Sequence, residues 1–150
     1  MKCMYAFVTV AALCMTGAAA LAADAPQMEA NKRAVAEFYD KAINQKDFDA
    51  AVKYLGPRYV QHNQGAADGP EGLKGFLGFL RAKFPNAHSE IKKSFADGDY
   101  VILHVHSLRE PGTRGTAIVD IFKLENGKIV EHWDVHEDIV EKPANGNGMF

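Results

Sequence analysis

Cysteine is almost absent from this sequence. Only two of the 150 residues are cysteines, Cys3 and Cys14, and both lie close to the N-terminus. The rest of the chain therefore has no thiol for a disulfide, a thiolate nucleophile or a cysteine-ligated metal. No internal repeat is present, and the only stretch of biased composition is a polar tail over Lys142–Phe150.

Basic residues are not in excess either. Lysine and arginine total 17 against 19 acidic residues, which gives a formal net charge of −2. No basic stripe is interleaved with aromatic residues, so the sequence argues against nucleic acid as a partner. A small-molecule partner is the better expectation.

The N-terminus resembles an export signal. Lys2 supplies a short positive start, Tyr5–Ala23 is uncharged, and Ala20-Leu21-Ala22 fits a small-x-small cleavage pattern. We predict a removed signal peptide over 1–22, a single domain over 23–150, and a periplasmic or secreted protein free of the membrane after cleavage. A retained membrane helix is the alternative, but the end of the run is weakly hydrophobic and no stop-transfer charges follow it.

Helical patterning occupies the first half of the mature chain. Asp47 is placed to cap a short second helix, Pro70 to open a third, and Pro85 to end it. The first helix is predicted over Glu29–Asn44, because one stripe at helical spacing contains the apolar residues Ala34, Val35, Phe38, Tyr39, Ala42 and Ile43.

From Ser89 onward the hydrophobic period changes to two. Turns are indicated at Asp97-Gly98-Asp99 and Glu125-Asn126-Gly127. Helices followed by an antiparallel meander indicate an α+β fold, in which three N-terminal helices pack on a curved, mostly antiparallel sheet and leave a pocket between the layers. The predicted strands are Ser89–Ala96, Tyr100–Glu110, Thr113–Leu124 and Lys128–Asp138.

The last hairpin permits two registers. A two-residue turn at Asn126-Gly127 would pair Asp120 with Trp133 and send Asp134 to the other face. A three-residue loop with a left-handed bulge at the glycine would instead place Asp120, His132 and Asp134 on one face. We favour the second register, because it separates an apolar face from a mixed one. Solvated or salt-bridged acids are the structural alternative.

Two further histidines alternate in an apolar run. His104 and His106 share one face of their predicted strand, and we expect them to face the pocket and contact substrate. The alternatives are exposed strand positions, or a metal site that also uses His132, Asp134 and His136. A metal requires at least three converging ligands, and spacing alone does not establish convergence.

A polar pair follows the second helix. His62 and Asn63 end a short predicted strand before the glycine-rich loop 65–69. Polar residues at the point where a chain leaves its scaffold often line the mouth of a pocket. The alternative is an exposed histidine and a loop-capping asparagine.

These motifs, taken in order, resemble the SnoaL-like polyketide cyclase group of the nuclear-transport-factor-two-like superfamily. The resemblance implies a cone-shaped α+β barrel, cofactor-free acid/base chemistry in the cone, and homodimers packed sheet to sheet. It extends over the whole mature chain and rests on Tyr59–Asn63, Asp68–Leu73, His104–His106, Val119–Lys123 and Gly127–Asp134.

The resemblance also implies roles for individual residues. Asp134 matches the general acid/base on the last strand of characterised cyclases, Asp120 matches a pocket position, and His62 falls where related isomerases carry their base. We therefore predict an exported aldol cyclase, isomerase or lyase that needs no cofactor or metal. Its catalytic residues would be Asp134, Asp120 and His62, with substrate contacts from Asn63, His104, His106 and His132. A non-catalytic periplasmic binder of a small apolar ligand is the alternative.

Overall fold

Three helices form one layer of the fold. A computed structural model describes the backbone of residues 16–150 and the side chains from residue 25 onward. Helix α1 runs over Thr16–Tyr39 and continues as a π-helical turn at Asp40–Asn44. Helix α2, Phe48–Ala51, is followed by a 3-10 turn at Val52–Tyr54, and α3 covers Gly69–Lys83. The predicted cleavage site between residues 22 and 23 lies within the bounds of α1. Residues 1–15 of the predicted signal peptide lie outside the described residues.

The predicted helix signals are confirmed. The Asp47 side chain accepts a hydrogen bond from the Ala50 backbone N–H at 3.0 Å and so caps α2. Pro70 occupies the first turn of α3, where its missing N–H has no hydrogen bond to lose. The α1 stripe is buried at Val35, Phe38 and Tyr39. Among the described residues, no helix combines the length and apolar character needed to cross a bilayer.

A five-stranded sheet forms the second layer. The strands are β1 (Leu55–Gln61), β2 (His88–Asp97), β3 (Tyr100–Leu108), β4 (Thr116–Glu125) and β5 (Lys128–Asp138). Their spatial order is β1-β5-β4-β3-β2, and only the β1–β5 pair is parallel. The α+β class and the antiparallel meander are therefore confirmed. Strand β1 extends the sheet beyond the meander, next to its last strand.

The predicted three-residue loop of the last hairpin is wrong. Asp120, His132 and Asp134 nevertheless share one face, as predicted. Asn126 and Gly127 form a two-residue turn with positive φ values of 52° and 73°, which is the turn that Asn-Gly favours. Val130 is then an extra residue in β5, and this bulge shifts the pairing by one. Asp120 consequently pairs with Asp134.

The helices cover one face of the sheet. The core contains the alternating residues Val101, Leu103 and Val105 of β3 together with Phe122 of β4. Because of the bulge, Ile129 also faces this core. The face away from the helices, called the outer face below, contains Val119, Ile121, Trp133 and Val135.

Candidate functional site

A cavity of about 840 Å³ lies between the helices and the inner face of the sheet. Its polar lining includes Gln61 and Asn63 near the end of β1, Asp120 of β4, and His132 and Asp134 of β5, while most of its surface is apolar. A pocket of this size with a few polar groups suits a small, largely apolar ligand. The apolar lining includes Phe38, Ile43, Phe76, Phe79, Leu80 and Ile118.

Asp120 and His132 form a buried pair on this inner face. Nε2 of His132 lies 3.0 Å from Oδ1 of Asp120, and both side chains are almost completely shielded from solvent. The other oxygen, Oδ2, has no hydrogen-bond partner among the described residues. A buried acceptor without a partner is costly, so this oxygen is not explained by the stability of the fold.

Asp134 is held by different neighbours. Nδ2 of Asn63 donates to both carboxylate oxygens, at 2.8 and 2.6 Å, and Nε2 of His136 lies 3.0 Å from Oδ2. The side-chain oxygen of Asn63, Oδ1, in turn accepts a hydrogen bond from the Gly65 backbone N–H at 2.7 Å, which fixes the orientation of the side-chain amide. Asn63 therefore lies beside the cavity as predicted, where it contacts one of the two predicted acids.

The predicted cavity position of His62 is wrong. Its ring stacks on Trp133 with centroids 4.4 Å apart and planes within 2°, and its Nε2 lies 3.3 Å from Glu131. Both neighbours belong to the outer face. Side chains alternate along an extended segment, so Gln61 and Asn63 face the cavity while His62 between them faces away.

The predicted cavity positions of His104 and His106 are also wrong. The two histidines do share one face, but it is the outer one, where both rings lie about 5 Å from the Phe150 ring. His104 pairs with Val119, another outer-face residue. Leu103 and Val105, which alternate with the histidines, are fully buried. They take the face covered by the helices because that packing removes more apolar surface from water.

Gln61 and Tyr39 are cavity residues that the sequence patterns did not indicate as part of a site. Gln61 accepts a hydrogen bond from Nδ1 of His132 at 2.8 Å, and its position two residues before Asn63 was the available signal. Tyr39 belonged to the helical stripe that we assigned to the core. It also lines the cavity, where it lies close to Asp120.

The two buried tyrosines keep their protons. Burial raises the pKa of Tyr39 well above its ordinary value, and the charge of Asp120 and hydrogen bonding to it raise that pKa further. Oδ2 of Asp120 nevertheless has no hydrogen-bond partner among the described residues. Burial is also the main cause of the raised pKa of Tyr59. Both hydroxyls can therefore donate hydrogen bonds at neutral pH.

Ligand atoms from Asp120, His132 and Asp134 lie within 4.8 Å of one another, close enough to suggest a metal site. Both ring nitrogens of His132 are already engaged, however, one by Gln61 and the other by Asp120. A metal ion on Nε2 would have to displace the hydrogen bond to Asp120. The arrangement as it stands is suited to holding a proton between these two residues.

Known structures share this architecture. A proposed polyketide cyclase from Bacillus cereus ATCC 10987 is 23% identical, with a TM-score of 0.63 over 72% of this chain and 74% of that one. A proposed SnoaL-like polyketide cyclase from Jannaschia sp. CCS1 is 20% identical, with a TM-score of 0.61 over 75% and 88% of the two chains. Wild-type IdmH from Streptomyces antibioticus is 18% identical, with a TM-score of 0.59 over 71% and 91%.

At these identities the structural likeness establishes the fold alone. No curated protein matches the sequence significantly. The family model for the SnoaL-like domain, however, matches residues 35–132, which is most of the chain and includes Gln61, Asp120 and His132. The chain therefore belongs to the SnoaL-like domain family.

Proposed function

We propose that this protein is an enzyme that removes a proton from the carbon next to a carbonyl group in a small, largely apolar molecule. Such a step begins aldol cyclisations, isomerisations and some eliminations. The observation that carries the proposal is the buried Oδ2 of Asp120, an acceptor without a partner in an apolar cavity. The solved structures described as proposed polyketide cyclases support the same class of chemistry.

The proposed base is a cavity carboxylate. The resemblance implies that Asp134 is at the catalytic position of the cyclases, and Asp120 has a carboxylate oxygen without a hydrogen-bond partner among the described residues. Neither acid forms a salt bridge with lysine or arginine among the described residues; their charged or titratable partners are His136 and His132. An arginine paired with either carboxylate would have indicated a structural ion pair. No such pair is present among the described contacts, which supports a reactive role for the carboxylates.

The proposed hydrogen-bond donor is Tyr39. As the base takes the proton, negative charge develops on the carbonyl oxygen of the substrate. A neutral hydroxyl aimed at that oxygen stabilises the enolate without losing its own proton. The raised pKa of Tyr39 keeps its hydroxyl protonated, and the residue lines the same cavity as Asp120. All these steps use side chains alone, with no cofactor.

The expected location is outside the cytoplasm. The uncharged apolar run and the small residues before Ala23 support export and cleavage. Both cysteines would leave with the signal peptide, so the mature enzyme would contain no thiol. The substrate would then be a molecule available in the periplasm or the medium.

Deuterium incorporation tests the proposed chemistry without knowledge of the natural substrate. The wild-type protein is incubated in D₂O with β-tetralone and with acetophenone, and mass spectrometry follows exchange beside the carbonyl. We expect exchange faster than in buffer, and a loss of about 10²–10⁴-fold in Asp120→Asn or Asp134→Asn, depending on which acid is the base. Asp97→Asn, which changes an exposed acid on β2, is the matched control.

Two results would contradict this proposal. Ketones that bind the wild-type protein, as detected by thermal shift, but exchange no faster than in buffer would favour the passive binder. Full exchange activity in both the Asp120→Asn and the Asp134→Asn variants would exclude the carboxylates as the base.

A further inference from the structure

Gln61 connects β1 to β5 within the site. It is the last residue of β1 and pairs with His132 across the parallel β1–β5 ladder. Its backbone N–H donates to Oδ1 of Asp68 at 2.7 Å, so the strand end is fixed by an acid from the loop before α3. Its side-chain amide contacts His132, Asn63 and Tyr59.

The contacts of Gln61 determine the orientation of its amide. The backbone N–H of Asn63 lies 3.3 Å from one end of the amide, and a backbone N–H can only donate. That end is therefore the oxygen Oε1. The other end, Nε2, donates to the Tyr59 hydroxyl at 3.2 Å. This assignment rests on the hydrogen-bond network around the amide.

The same oxygen faces His132. Oε1 lies 2.8 Å from Nδ1 of the imidazole, and an amide oxygen can only accept, so Nδ1 must carry a hydrogen. In neutral His132 the other nitrogen, Nε2, then has a lone pair pointed at Oδ1 of Asp120, 3.0 Å away. Two facing lone pairs repel, so one proton is held between these atoms.

We propose that Gln61 is a positioning residue that keeps a hydrogen on Nδ1 of His132, and so fixes the tautomer of the neutral ring, and that this leaves Oδ2 of Asp120 as a hydrogen-bond acceptor. The shared proton lies on Oδ1 or on Nε2. In the first case Oδ2 is the carbonyl oxygen of the acid, and in the second it is a carboxylate oxygen. In both cases Oδ2 accepts and does not donate, which leaves donation to Tyr39. Asp120 can act as the base when the shared proton is on Nε2, because the carboxylate, unlike the neutral acid, is basic enough to take a proton from carbon.

The catalytic part of this inference rests on the proposed function, whereas the tautomer does not. Without Gln61, His132 could carry its hydrogen on Nε2 and donate it to Asp120. The proton between Nε2 and Oδ1 would remain, Nδ1 would be bare, and the pair would hold one proton fewer. The two states differ in whether Nδ1 carries a hydrogen, and nitrogen NMR distinguishes them directly.

The test uses uniformly ¹⁵N-labelled mature protein and long-range ¹H–¹⁵N correlation spectra of the histidine rings. The signals of His132 are assigned by their loss in His132→Gln. We expect a protonated Nδ1 in the wild type and in Gln61→Glu, which keeps an acceptor at this position. In Gln61→Leu we expect Nδ1 to shift to the position of an unprotonated ring nitrogen. Gln64→Leu, which changes an exposed residue three positions away, should leave the spectrum unchanged.

The exchange assay supplies the second readout. Gln61→Leu should lower the maximal rate of deuterium incorporation, by up to about 10⁴-fold if a wrong tautomer acts here as it does in serine hydrolases. The ketone concentration at half-maximal rate should change much less. Gln61→Glu should retain more activity than Gln61→Leu.

Each outcome has a distinct meaning. A wild-type His132 with a bare Nδ1, or an unchanged spectrum in folded Gln61→Leu, would overturn the assignment of the tautomer. If wild-type Nδ1 is protonated and Nδ1 shifts in Gln61→Leu as expected, but this variant exchanges deuterium as fast as wild type, the positioning role would be overturned. A correct tautomer in a wild-type protein that exchanges no ketone would refute the proposed function and leave the tautomer standing.

Discussion

Asp120 and Asp134 lie directly opposite each other on β4 and β5, with both side chains on the face covered by the helices. This pairing depends on the extra residue at Val130. Without the bulge, the two-residue turn would pair Asp120 with Trp133 and turn Asp134 away from the cavity. One additional residue therefore brings the two acids into the same site.

The outer face of the sheet should form a homodimer interface. Val119, Ile121 and Trp133 form part of an apolar surface, and Val135 beside them is 67% exposed. We expect light scattering at micromolar concentration to report a dimer, because covering such a surface removes apolar area from water. Val135→Glu should shift the protein toward monomer.

The control for this prediction is Val140→Glu. Val140 is similarly exposed, at 59%, but lies beyond the end of β5. This variant should remain dimeric. A monomeric wild-type protein would contradict the prediction.

Two glycines of α3 should respond oppositely to alanine. A Cβ on Gly72 would lie 1.9 Å from the Ala67 carbonyl oxygen, whereas one on Gly78 would meet nothing within 4 Å. We expect Gly72→Ala to lower the free energy of unfolding by about 1–3 kcal/mol, because the loop that follows Asn63 must move. Gly78→Ala should raise it by up to about 1 kcal/mol. Urea unfolding measures both changes in the free energy of unfolding. Equal changes in the two variants would show that helix propensity alone determines the effect and that the contact with Ala67 does not contribute.

The buried tyrosines should make the fold sensitive to alkali. The pKa of Tyr59 is raised above its ordinary value of 10.0 by burial, so above that pH the unfolded chain loses a proton that the folded chain keeps. Stability from this residue is therefore complete below pH 10 and declines as the pH rises further. We expect Tyr59→Phe to lose less stability than wild type between about pH 8 and pH 11 in urea unfolding.

Tyr100→Phe, which removes an exposed phenol, is the control for the alkaline series. The comparison concerns the change with pH and not the stability at one pH, because Tyr59→Phe also loses the hydrogen bond from Gln61. Parallel profiles for the wild type and Tyr59→Phe would contradict the prediction.

Export should produce a chain that begins at Ala23. The small residues at positions 20 and 22 favour cleavage between Ala22 and Ala23. Mass spectrometry of protein from a periplasmic or culture fraction should report a chain without residues 1–22. Protein that retains Met1 and is recovered from the cytoplasm would show that no cleavage occurs.

Much of the fold was predictable because it depends on local pattern. The helical stripe through Val35 and Phe38, the cap at Asp47 and the proline at position 70 each act within a few residues. The turns of the meander are local as well. Alternation along β5 was enough to put His132 and Asp134 on one face, since side chains of a strand point to opposite sides in turn.

Only the tertiary structure decided which face of each element meets the cavity. Alternation placed His104 and His106 together, but packing against the helices assigned the inner face to their apolar neighbours. The sequence was equally ambiguous about His62 and Asn63, of which only Asn63 faces the cavity. Gln61 and His132 are 71 residues apart, and their hydrogen bond exists because β1 pairs in parallel with β5. Local patterns report periodicity, whereas the choice of buried face depends on apolar surface brought together from distant parts of the chain.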